Sequence, residues 1–219
     1  MSVEQALLTL LHILVFVYWL GGDLGAFYAS RFLTKPGVSA ERRLLAVKIV
    51  GDVDMAPRTA LILALPTGLL LARETGYITL DRTIIWCVSA GFAGWLALVW
   101  LRHLRHGKLP RWTGTLDLAL RWLVLAGLIT LAIAALTGHT DWPLFLAVKL
   151  LLLAAAVVLG LIIRGVLVPL GPALASLSGP DEASGEATLN RLMGVARPMV
   201  VAIWACLLAA AFLGLWKPV

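Results

Sequence analysis

Six long apolar runs, separated by short polar or breaker-rich stretches, make up most of this 219-residue chain. The pattern predicts membrane spans over about 6–32, 55–72, 84–101, 116–136, 142–167 and 189–216. Each is as long as the roughly 18 apolar residues that a bilayer crossing needs. The stretch 40–54 differs, because its apolar residues share one face with charged neighbours, and it reads as an interfacial lead-in helix. Pro57 suits the first turn of the helix that follows, with Asp54 near its capping position. Pro36–Gly37 and the stretch 169–185 carry the strongest breakers. The whole chain, 1–219, reads as one all-α domain, a polytopic transmembrane bundle of about six spans.

Composition agrees with the pattern. Charged residues are 14% of the chain against about 25% in soluble domains, and mean hydropathy is +0.94. The lipid bilayer is therefore a partner. The net charge of +6 does not point to nucleic acid, because the basic residues gather in loops, where they set orientation. Arg31, Lys35, Arg42, Arg43 and Lys48 follow the first span, and Arg102, His103, Arg105, His106, Lys108 and Arg111 follow the third. That asymmetry puts both loops in the cytoplasm and both termini outside. The N-terminus lacks a basic n-region, so the first span is expected to be retained rather than cleaved. Cys87 and Cys206 fall within apolar runs and read as core thiols. Trp86, Trp100, Trp112, Trp142 and Trp216 read as interfacial belts.

The chemistry concentrates in the first span. At 100° per residue, Trp19 and Asp23 fall within about 20° of His12, so one stripe carries an imidazole, an indole and an acid. Gly21 and Gly25, spaced small-xxx-small, suggest a close helix neighbour. An ionisable group inside a bilayer needs a partner, a cavity or a cofactor. His12 is expected to ligate heme or another metal, with a hydrogen-bonded packing histidine as the plainer alternative. Lys149, at a depth similar to His12, would bind an anionic group or snorkel. His139, closing the fourth span, is a second candidate axial ligand or a surface cap. Asp23, Asp52, Asp54, Arg58, Arg164 and Arg197 all fall toward the other side of the membrane. They form either a structural ion-pair network or a proton path. No glycine-rich phosphate loop, CxxC, CxxCH or HExxH sequence is present, which argues against covalently attached heme. The methionines form no copper track.

The first helix, with His12, Trp19, Gly21–Gly22, Phe27–Tyr28 and Arg31, resembles the opening helix of the HemJ/CopD-like bacterial membrane proteins. The stretch Leu146–Ala147–Val148–Lys149 resembles that family's lysine-bearing helix. The resemblance covers about a quarter of the chain. It implies a multi-pass protein of the bacterial inner membrane, b-type heme on His12 and an active role for Lys149. This chain departs from HemJ-type proteins in its six spans and in having no histidine soon after the lysine, and it lacks the ligands of a copper carrier. The reading is a heme b redox protein moving electrons between a small substrate and quinone or a partner protein. Lys149 and Asp23 would be its catalytic residues, with Trp19 and His139 completing the cofactor site. Self-association is a further expectation. Two other classes stay open on the residues alone: a small-anion permease using Lys149, Arg164 and Arg197, and a structural accessory subunit.

Overall fold

The computed structural model describes residues 2–105, 108–177 and 181–217. His106 lies outside the described residues. Ser2 starts the first helix, accepting a hydrogen bond from the Gln5 amide at 3.1 Å, and α1 then runs Val3–Ser30 before a tight 3-10 turn. The amphipathic stretch is α2, Ala40–Val53. Asp54 separates it from α3, Met55–Glu74, where Pro57 occupies the first turn and removes no needed donor. Then come α4 (Arg82–Leu104), α5 (Trp112–Leu136), α6 (Leu144–Val166), the short α7 (Leu170–Ser176) and α8 (Glu182–Trp216). Among the described residues six segments are long and apolar enough to cross a membrane, and the protein is an all-α polytopic helix bundle.

The last helix begins earlier than its hydropathy suggests, at Glu182 instead of about 189. Its first turns are polar but not loose. Arg43 of α2 is buried and pairs with Glu186, and a Cβ on Gly185 would stand 2.8 Å from the Ala173 carbonyl of α7. Tertiary packing, not bilayer burial, extends α8 there.

The long helices pack as a ring in the order α1, α3, α4, α5, α6, α8, with α8 closing back onto α1. Val15 and Trp19 of α1, Ala60 of α3, Ala156 of α6 and Ile203 and Leu207 of α8 form the central apolar cluster. The tightest approach is α1 on α3. A Cβ on Gly22 would stand 2.6 Å from Ala56 Cβ and 2.7 Å from Pro57 Cδ, and one on Gly25 would stand 3.1 Å from Val53. Gly21 faces open space. The close face is thus Gly22 with Gly25, not Gly21 with Gly25, because the crossing brings the first turn of α3 against Gly22. Many large apolar side chains, among them Leu10, Leu14, Tyr18 and Leu24 on α1, remain exposed, as suits surfaces solvated by lipid tails.

Candidate functional site

The first-helix stripe faces inward. Pro66 sits inside α3, and the next residue, Thr67, is buried with its hydroxyl donating to the Leu63 carbonyl at 2.7 Å. His12 Nδ1 lies 2.9 Å from that same Thr67 Oγ1. A hydroxyl has one proton, and this one is committed to Leu63, so Thr67 accepts from His12. In the neutral imidazole the proton is therefore on Nδ1, and Nε2 is a bare acceptor with no hydrogen-bond partner among the described residues. Gly68 lets the ring lie against α3, since a Cβ there would stand 3.3 Å from His12 Cε1.

His12 faces a cavity of about 450 Å³ bounded by α1, α3, α6, α8 and the loop after α3. That volume is within the usual range for small-molecule and cofactor sites. Its wall is mostly apolar, with Phe16, Leu65, Phe145 and Leu146 prominent, and its polar groups are few. Lys149 reaches in from α6 and rests its ammonium on α8, where a Cβ on Gly214 would stand 2.8 Å from Nζ. Among the described residues Lys149 makes no ion pair. Lys217 lies over the Tyr77 ring, 5.8 Å from its centroid, and both line the same cavity. Trp19 lines the cavity floor, and Trp142, expected in an interfacial belt, lines its wall.

His139 is elsewhere. Gly138, at φ 74°, ends α5 in a left-handed turn, and the His139 amide closes that turn on the Ala134 carbonyl at 2.9 Å. Its Nδ1 lies 2.8 Å from Thr137 Oγ1 in an exposed setting, and it does not line the cavity. It belongs to the helix cap, because α5 packs on α4 and α6 and not on α1. Among the described residues His12 is thus not joined by a second histidine, and no group of three or more His, Cys, Asp or Glu is placed to hold a metal ion.

The expected charge cluster is assembled only in part, since Asp23, Asp54 and Arg197 line one small cavity whereas Asp52 and Arg164 lie elsewhere. Asp54 pairs with Arg58 one turn along, and Asp52 lies 3.4 Å from His103. Arg197 donates to the Ser30 carbonyl at 2.8 Å and to Thr34 Oγ1 at 3.0 Å, capping the end of α1. Arg164 donates to Asp117 at 2.8 Å. Asp117, which the pattern of charges did not single out, is the hub of a buried network. It accepts from Trp95 Nε1 at 3.0 Å and pairs with Arg121 at 3.3 Å. The i,i+4 spacing of Asp117 and Arg121 was a readable signal for it. Asp23 makes no ion pair among the described residues. It is 9% exposed, faces Trp19, Trp204 and Asp54, and leaves Oδ2 without a hydrogen-bond partner. With Ser30, Arg197 and Asp54 it lines a second, smaller cavity of about 130 Å³ toward the opposite face.

Thr67, Gly68, Tyr77 and Lys217 were not legible as site residues, since each acquires its role only from what packs against it. No family model, curated protein or solved structure matches this chain.

Proposed function

We propose that this protein binds b-type heme in the large cavity, with His12 as axial ligand, and works as a membrane redox protein. The single observation that carries this reading is the His12–Thr67 pair. Metal-ligating histidines characteristically donate their other ring N–H to a fixed acceptor, which sets the tautomer and aims the free nitrogen. Here Nδ1–H is held and Nε2 is open. One imidazole cannot by itself hold a bare metal ion, which takes three or four protein ligands. It suits a group that brings its own ligands, and a cavity with an apolar wall and two lysines suits a flat amphiphile with acidic arms.

When bound, heme supplies one-electron transfer. Thr67 keeps the imidazole in the ligating tautomer, and Lys149 and Lys217 neutralise the acidic arms. The apolar wall would exclude water from the group, and Asp23, about 16 Å farther along α1, is a buried carboxyl that could hold or release a proton. The resemblance to HemJ/CopD-like proteins supports the same assignment for His12 and Lys149. The positive loops orient the protein in a bacterial inner membrane with both termini outside and the His12 cavity toward the outer leaflet. Quinone or a redox protein completes the circuit.

A small-anion permease is the second reading, favoured by one observation. The two cavities share no lining residue, and Trp19 stands between His12 and Asp23. The deciding measurement is a visible spectrum of detergent-purified protein, oxidised and dithionite-reduced, beside His12→Ala. A Soret band with sharp reduced bands, lost or shifted in the variant, supports heme. A colourless protein from heme-replete cells overturns it and leaves the permease to be tested by solute-dependent thermal stabilisation.

A further inference from the structure

The large cavity is not sealed toward the membrane. Ile13 and Val17 on α1 and Leu215 on α8 line it, yet they are 47%, 53% and 79% exposed. Ile13 and Val17 lie about 15 and 21 Å from the start of α1, too deep to face bulk water in a 30 Å hydrocarbon layer. The two helices do hold together farther along. Phe27 packs on Trp204 at 5.1 Å, and Arg197 bonds to Ser30 and Thr34. At the cavity end, however, each is drawn to other elements. Glu4 of α1 pairs with Arg82 at 2.9 Å, and His12 is tied to Thr67. Lys217, just past α8, sits on Tyr77, and Gly214 receives Lys149. Between these ties the cavity is lined on the α8 side by the small Ala210, Ala211 and Gly214 and on the α1 side by the exposed Ile13 and Val17.

We infer that the cavity takes its ligand from within the bilayer, through this gap between α1 and α8, and that the ligand is a membrane-dissolved amphiphile with an acidic head group. The gap passes through apolar residues at hydrocarbon depth, a route for a lipid-phase molecule and a poor one for a hydrated solute. Inside, Lys149 and Lys217 supply two cations, and Lys149 has no carboxylate partner among the described residues. A buried ammonium is strongly favoured to gain one. Apolar chain along the gap and acid at the lysines fix the orientation of the guest. The inference rests on the cavity being the ligand site, as proposed above, but not on the ligand being heme.

The test uses a diazirine-bearing stearic acid added to the full-length protein in phospholipid nanodiscs, purified from heme-depleted cells. Photolabelled residues are then mapped by mass spectrometry. The expected result is labelling of cavity residues such as Leu65 and Leu146 that falls at least tenfold in Ala211→Trp, which plugs the gap. It should persist in Val201→Trp, lower on α8, which controls for folding. Lys149→Gln should reduce cavity labelling while leaving lipid-facing labelling unchanged. Labelling confined to lipid-facing residues, or cavity labelling indifferent to the Ala211 plug, overturns the inference. Failure of the heme reading shows separately, as a missing Soret band in protein whose cavity still labels.

Discussion

The two ends of this bundle handle buried polarity in opposite ways. Around Asp117, Trp95, Arg121 and Arg164 satisfy the carboxylate from three helices, and nothing is left over for a guest. Around His12, only one side of the imidazole is satisfied, and the neighbouring lysine has no acid within reach among the described residues. A closed network fixes helix positions, whereas an open valence beside 450 Å³ of space is a place for a ligand. Asp23 stands between these cases, buried like Asp117 but incompletely paired like His12.

Substitutions can break that contrast. The largest effect is expected at Asp117, where Asp117→Asn strands the Arg121 guanidinium, 13% exposed beside a carboxylate side chain 7% exposed, while the half-exposed Arg164 turns to solvent. Removing one partner of such a pair costs about 3–5 kcal/mol. Denaturation in detergent should register it as a much lower midpoint, with the cavity around His12 in any folded remainder unchanged. Gly22→Ala comes next. Its Cβ meets the rigid start of α3, and overpacking of this kind costs about 1–3 kcal/mol. Gly21→Ala, facing open space, should be neutral or slightly stabilising, so equal effects at the two glycines would refute the packing face assigned here.

Thr67→Val probes the other end. It should cost only about 1 kcal/mol of stability, the net worth of an ordinary hydrogen bond. On the proposed function, heme affinity of the purified protein should nevertheless weaken about 10–100-fold, the usual effect of removing a partner behind a ligating histidine. A binding loss no larger than the stability loss would make Thr67 a packing residue. The smallest effect belongs to Arg58→Gln. Its pair with Asp54 is half exposed on one helix turn, so stability should move by no more than about 0.5 kcal/mol.

The lateral gap sharpens the contrast further. At the end holding Arg197 and Phe27, α1 and α8 are joined by hydrogen bonds and an aromatic pair, whereas at the end holding His12 no hydrogen bond or ion pair joins them among the described residues. Rigidity and access are therefore divided along the same two helices.

Much of this was legible in the residues. Hydropathy and length determined the number of candidate membrane spans, because backbone groups in a bilayer must be satisfied within the helix itself, whereas the short α7, in the stretch read as a linker, was not legible. Helical spacing also placed His12, Trp19 and Asp23 on one inward stripe, since a 100° step is a local property of the chain. What lay opposite that stripe was decided only in three dimensions. Thr67 fixes the imidazole tautomer from 55 residues away, and Lys149 and Lys217 share a cavity because α6 and α8 are ring neighbours. Likewise His139 was a plausible ligand on the sequence, yet its helix lies across the ring from α1. Which charges pair depends on helix order around the ring. Spacing along one chain carries no information about that order, and here packing alone decided which polar groups were completed and which were left open.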